Sequence, residues 1–133
     1  MRCDDDPDFA LEIAETLVRN WRIADAISEV AGADFLAVLQ PLASVESPRI
    51  DHLGYEPTQP GNTYQRVYEH VREIVAADPS IDWFVDLSRV YDGDEYIFID
   101  GIHASENGHV LLAERLRYVA APILAERATK GTE

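Results

Sequence analysis

The spacing of apolar positions changes from segment to segment along the chain, and each spacing predicts an element. Phe9, Ile13, Leu17, Ala24, Ile27 and Ala31 recur at three- and four-residue steps, and Trp21 widens the same stripe. This periodicity predicts an amphipathic helix from about Asp8 to Ala31. Asp8 can cap it, with Pro7 just outside, and Gly32 is placed to stop it. Phe35 to Leu39 is short and apolar on both faces, and Gln40-Pro41 ends it. Such a run reads as a central parallel strand covered by helices above and below. Tyr64, Val67, Tyr68, Val71, Ile74 and Val75 return to helical spacing behind Asn62 and Gln65, an arrangement like a capping box; Asp78-Pro79 ends this helix. Ile81 to Leu87 reads as a second strand, in which Trp83, Val85 and Leu87 alternate with the wetter Asp82, Phe84 and Asp86. Tyr96 to Ile99 reads as a brief strand or extended loop. Ser105 caps a last helix reaching about Ala128, with Leu112, Leu116, Val119, Ala120 and Ile123 on its buried side. Pro122 should kink that helix or loosen one turn.

Between the first strand and the second helix, Pro41 to Gly61 is a long loop holding Pro41, Pro48, Pro57 and Pro60. Loops of this length in compact domains serve as lids or binding loops, and the bland alternative is a linker. Helices alternating with buried strands predict an α/β fold with right-handed parallel connections. Two strands are too few for a free-standing doubly wound sheet. The expectation is therefore a single domain over residues 1–133 that forms part of a flavodoxin-like three-layer α/β/α unit, with N-terminal strands missing.

Composition narrows the functions. The chain is 47% hydrophobic and 27% charged, enough apolar content for a core. A net charge of −14 repels phosphate backbones and anionic bilayers, which argues against nucleic-acid and membrane partners. The Met1-Arg2 start runs into aspartates rather than an apolar signal segment, and no stretch reaches the roughly 18 apolar residues of a membrane span. These features leave the compartment undecided. Cys3 is the single cysteine and forms no internal disulfide; beside Asp4-Asp5-Asp6 it is a poor nucleophile.

The chemistry concentrates in Ile99-Asp100-Gly101-Ile102-His103-Ala104-Ser105-Glu106-Asn107-Gly108-His109. A general base needs an imidazole held in one tautomer by a carboxylate on its other nitrogen. The glycine turn can fold Asp100 back under His103, and a helix starting at Ser105 would fix the loop. The plain alternative is a turn in which Asp100 bonds backbone N–H groups while His103 lies on the surface. His103 and His109 with Asp100 and Glu106 also form a compact His/carboxylate group, but the two histidines lack i,i+4 spacing, and no metal or cofactor is expected. His52 and His70 are less distinctive. Ser44, Ser47 and Ser88 follow the strands, yet none lies in a Gly-x-Ser-x-Gly elbow. Tyr55, Tyr64, Tyr68, Tyr91 and Tyr96 fit core and loop packing better than ligand contacts.

Asp100-Gly-Ile-His103, then Gly108 and Leu111-Leu-Ala-Glu-Arg-Leu116, strongly resembles the last conserved block of the SGNH (GDSL-type) esterase family. The Phe35–Pro41 strand end and Ile81–Ser88 are similar to that family's later strands, so the resemblance covers about residues 9–125. It implies that His103 is the general base and Asp100 its orienting carboxylate. It also implies ester hydrolysis without a cofactor, on a small-molecule or carbohydrate ester. The family's Gly-Asp-Ser, oxyanion-glycine and Gly-x-Asn-Asp blocks have no counterpart here. The expectation is the C-terminal part of such an enzyme, inactive alone, that pairs with a missing N-terminal half. A non-catalytic interaction domain, dimerising through the unpaired strand edge at Phe35–Leu39, is the rival.

Overall fold

The computed structural model describes residues 7–54 and 63–130. Cys3, Tyr55, the end of the long loop and the Asn62 cap lie outside the described residues. The fold is mixed α/β and mostly helical, with the order α1 (Pro7–Val30), β1 (Ala37–Leu39), a 3-10 turn (Asp51–Leu53), α2 (Thr63–Ala76), β2 (Phe84–Asp86) and α3 (Glu106–Lys130). β1 and β2 are parallel, with Ala37 opposite Phe84, Val38 opposite Val85 and Leu39 opposite Asp86. Two hydrogen bonds extend the ladder beyond both ends of β2: Ala37 N–H to the Trp83 carbonyl, and Leu87 N–H to the Leu39 carbonyl. Both strands are shorter than the apolar runs suggested. Among the described residues the sheet has two strands, so the flanking residues have no further partner to hold them in a ladder.

α1 starts one residue earlier than expected, at Pro7, a position where proline's missing N–H costs nothing. It stops as anticipated at Gly32. This glycine takes a left-handed conformation (φ 66°), its N–H bonds the Glu29 carbonyl, and the Ala33 N–H reaches the Ser28 carbonyl. That pair of bonds satisfies the helix's last carbonyls.

The main core lies between α1, α2 and the sheet. Ala10, Ala14, Val18, Ala37, Leu39, Val67, Tyr68, Val71 and Trp83 are buried there, with Phe9, Ile13, Leu17 and Trp21 packed against them. The expected α1 stripe is corrected in two ways. Its centre is rotated one position, onto Ala10, Ala14 and Val18, because the small alanines let α1 approach its neighbours closely. Its last turns also leave the core: Ile27 is 64% exposed and Val30 91%. On α2, Tyr64 is exposed rather than on the buried face.

A second, smaller core holds Ala43, Tyr91, Ile97 and Phe98, flanked by Ile50, Leu53, Leu111 and Leu112. It seats the start of α3. The side of α3 expected to be buried is only half covered along its length, and the helix runs through Pro122 without ending. The proline removes the N–H that the Tyr118 carbonyl would receive. Tyr118 is exposed, so water can satisfy that carbonyl. No helix among the described residues is long and apolar enough to cross a membrane.

Candidate functional site

Asp100 and His103 sit at the tip of a tight loop whose two arms are tied together. Phe98 and Ala104 form an isolated antiparallel bridge, the Ile99 N–H bonds the His103 carbonyl at 2.8 Å, and the Ser105 N–H bonds the Ile97 carbonyl at 2.7 Å. Ile97 and Phe98 anchor one arm in the small core, where Phe98 meets the Tyr91 ring edge-on at 5.3 Å. The other arm runs directly into α3. Ser105 caps that helix by accepting the Gly108 N–H, in a long bond of 3.4 Å. So Tyr96–Ile99, ambiguous in sequence, is an extended arm with a single bridge rather than a strand.

Gly108 is demanded by packing. A Cβ there would lie 2.5 Å from Ile97 Cγ2 and 2.9 Å from Ala104 Cβ. The buried Tyr91 hydroxyl donates to the Gly108 carbonyl at 2.9 Å. Together these contacts press the first turn of α3 onto both arms of the Asp100–His103 loop.

Within the loop, one Asp100 oxygen accepts the N–H groups of Ile102 and His103, both at 2.8 Å. The other lies 2.7 Å from His103 Nδ1. The backbone N–H of His103, then that of Ile102, then the imidazole hold the Asp100 carboxyl well below the usual range, at about 2. An ionised carboxylate only accepts, so Nδ1 carries the proton toward it and the neutral ring presents a bare Nε2. His103 is 75% exposed and Asp100 55%, which leaves Nε2 open to a reacting group. The two readings weighed from the sequence thus coexist, because Asp100 stabilises the turn with one oxygen and orients the imidazole with the other.

The remaining candidates are dispersed. Ser88 is buried, donating to Asp86 Oδ1 at 2.6 Å while Arg72 donates to it at 2.7 Å, which makes it a structural hydroxyl. The Ser47 N–H bonds the Asp92 carboxylate and, with the Pro48–Asp92 bridge, ties the loop to the turn that follows Tyr91. Ser44 lines an apolar groove beside the Asp100–His103 loop. His70 pairs with Glu73 on the surface, and His52 donates to or accepts from neither Asp100 nor His103; its Nε2 lies 2.7 Å from the Phe98 carbonyl. His109 sits on the exposed first turn of α3. Among the described residues no three His, Cys, Asp or Glu side chains converge as metal ligands would.

The described part of the long loop, residues 41–54, is firmly held. Leu42, Ala43 and Val45 are buried, and the Ala43 N–H donates to the Gly101 carbonyl, so the loop touches the Asp100–His103 turn directly. Its next residue of note escaped sequence reasoning. Glu46 adopts φ 62°, a left-handed conformation that costs a side-chain-bearing residue energy. Its N–H donates to Gln65 Oε1, its side chain is 8% exposed, and its carboxylate lies 2.6 Å from Arg72 and 2.7 Å from Arg89. Arg72 also bonds Asp86 at 2.7 Å. Partial burial pulls the Arg72 guanidinium down, but the pairs with Asp86 and Glu46 outweigh it and raise it overall. A second missed cluster surrounds Tyr96: Arg49 stacks 4.0 Å over its ring, His52 meets it edge-on at 4.5 Å, and its hydroxyl donates to Asp51. Arg49, Asp51 and His52 are neighbours in sequence, but Tyr96, which brings them together, lies 45 residues from Asp51, so no local pattern pairs them.

Comparison with protein-family models, with curated proteins and with solved structures finds no match to this chain. The functional reading therefore stands on the geometry and on the motif.

Proposed function

We propose that the chain is the acid–base part of an SGNH (GDSL-type) serine esterase domain, completed as a flavodoxin-like three-layer α/β/α unit by strands that bring the nucleophile. The supporting observation is the geometry of Asp100 and His103. The 2.7 Å contact at Nδ1, with Asp100 fixed by two backbone N–H groups, leaves a bare, exposed Nε2 in the orientation a general base requires.

In this reading a serine hydroxyl gives its proton to His103 Nε2 as its oxygen bonds to the acyl carbon of an ester. The tetrahedral species collapses, the bond to the alcohol oxygen breaks, and the alcohol leaves with the proton from His103. Water then attacks the acyl-serine and gives a proton to the same Nε2. The carboxylic acid departs and the proton returns to the serine oxygen. Asp100 orients the ring and stabilises the imidazolium throughout. The substrate is a small-molecule or carbohydrate ester, and no cofactor takes part.

The chain alone should hydrolyse p-nitrophenyl acetate at close to the background rate. A burst of hydrolysis that persists after replacing Ser28, Ser44, Ser47, Ser80, Ser88 and Ser105 would refute the serine-esterase reading. Activity lost on a single Ser→Ala change would replace the split-site reading with a complete enzyme.

A non-catalytic interaction domain is the second reading, favoured by the edge of β1. Ala37 and Leu39 bond toward β2. Val38, between them, therefore turns its backbone N–H and carbonyl to the opposite edge, where the described residues supply no strand. A cooperative monomer in gel filtration and unfolding would argue against any edge partner; a discrete dimer whose esterase site stays silent in every combination would favour this reading.

A further inference from the structure

His52 lies in the 3-10 turn Asp51–Leu53 of the loop after β1, and its Nε2 sits 2.7 Å from the Phe98 carbonyl. Phe98 belongs to the arm that carries Asp100. In the bridge between Phe98 and Ala104 the hydrogen bonds are made by their neighbours, from the Ile99 N–H to the His103 carbonyl and from the Ser105 N–H to the Ile97 carbonyl. Phe98 therefore holds a non-hydrogen-bonded position of the pair, and its own carbonyl points to the outer edge of the arm. Phe98 is buried, where a carbonyl without a donor is costly. His52 supplies the donor.

A carbonyl only accepts, so the proton of this bond is on His52 Nε2 and Nδ1 is bare. That is the opposite tautomer to the one Asp100 imposes on His103. The His52 ring is steadied by Tyr96, which it meets edge-on at 4.5 Å. Tyr96 is fixed in turn, because Arg49 stacks 4.0 Å over its ring and Asp51 accepts its hydroxyl at 2.9 Å. Arg49 also donates to Asp51 at 3.1 Å and to the Asp94 carbonyl at 3.0 Å. The arm is thus clamped on both edges, by the Ala104 arm on one side and by His52 on the other.

We infer that His52 is a positioning residue for the Asp100–His103 pair: by holding the Phe98 carbonyl it fixes the arm from which Asp100 reaches the imidazole. Asp100 meets two backbone N–H groups and His103 Nδ1 at once, all within 2.8 Å, and that fit survives only if its own backbone stays in place. The inference rests on the esterase reading for the use to which the pair is put. The effect on Asp100 and His103 is read without catalysis.

The test is NMR on the ¹³C,¹⁵N-labelled chain. In the unaltered protein the neutral His52 ring should show a pyrrole-like ¹⁵N shift at Nε2 and a pyridine-like one at Nδ1; the reverse pattern would overturn the inference without any variant. His52→Phe keeps a ring against Tyr96 and loses the donor. In it the Asp100 titration midpoint should rise from near 2 toward 3.8, and the His103 ring should move toward a mixture of tautomers. His52→Gln, whose side-chain N–H can reach the same carbonyl, should restore both. A merely structural histidine would lower the unfolding temperature of His52→Phe and leave Asp100 and His103 unchanged. That result, or a Gln variant no better than Phe, would overturn the inference. If these shifts occur in a chain that no upstream segment makes active on p-nitrophenyl esters, the esterase reading fails and the role of His52 stands.

Discussion

Gly108 stands against Ile97 so closely that a Cβ on the glycine would lie 2.5 Å from the isoleucine Cγ2. This contact joins the first turn of α3 to the arm that carries Asp100 and His103. Ala104 Cβ blocks the same space, so the loop can yield only by moving its arms apart. Gly108→Ala should therefore destabilise the fold by about 1–3 kcal/mol, the usual cost of overpacking. Chemical denaturation checks it, and the backbone shifts of Ile99 and Ser105 should change more than those of α2.

The Asp100 carboxyl supports a second prediction. Its folded pKa lies near 2, below the ordinary 3.8, so it binds its proton less readily folded than unfolded. The stabilisation it gives is complete above about pH 4 and is lost as pH falls through about 2. An NMR titration of the Asp100 Cγ should show a midpoint near 2. In Asp100→Ala the amides of Ile102 and His103 should exchange faster with solvent, since both lose their acceptor. A midpoint near 3.8 would mean that the turn does not hold the carboxylate as described.

The tautomer of His103 gives a third. With Nδ1–H directed at Asp100, the neutral ring should show a pyridine-like ¹⁵N shift at Nε2 and a pyrrole-like one at Nδ1. Asp100→Ala should shift the ring toward a mixture of tautomers.

Glu46 and Arg72 form a nearly buried pair that ties the loop after β1 to α2 and β2. Arg72→Ala leaves Glu46 and Asp86 short of their shared cation. Arg72 is partly exposed, which moderates the cost, and a loss of about 2–3 kcal/mol in denaturant unfolding is expected. Glu46→Gln should cost less, because the amide can still accept from Arg89. The double variant should fall short of the sum of the two losses, since each single change already breaks the same contact.

The features legible in the sequence were those with a local cause. Gly32 and Ser105 announce helix ends through the bonds that their own positions make, and the three- and four-residue spacing announces α1, α2 and α3. The Asp100–His103 pair was legible because its partners lie within one turn. The strand lengths were not, because pairing depends on a neighbour: Phe35 and Ile81 are as apolar as the ladder residues, but nothing beside them holds them in a sheet. The rotation of the α1 stripe was hidden because a hydrophobic scale ranks Ile and Leu above Ala, whereas close helix packing favours Ala10 and Ala14. Glu46, Arg72, Asp86 and Arg89 come from three separate segments, and only the fold brings them together. The groove between Ile13, Val67 and Ile102 is non-local in the same way.

If His103, oriented by Asp100, is the general base for a serine that another segment supplies, p-nitrophenyl butyrate should be hydrolysed well above the rate of the chain alone once the chain is co-expressed with the coding sequence immediately upstream of it. His103→Ala should then lower kcat about 10³-fold or more with the circular dichroism spectrum unchanged. Hydrolysis no faster than with the chain alone, or undiminished in His103→Ala, would rule out this role for His103.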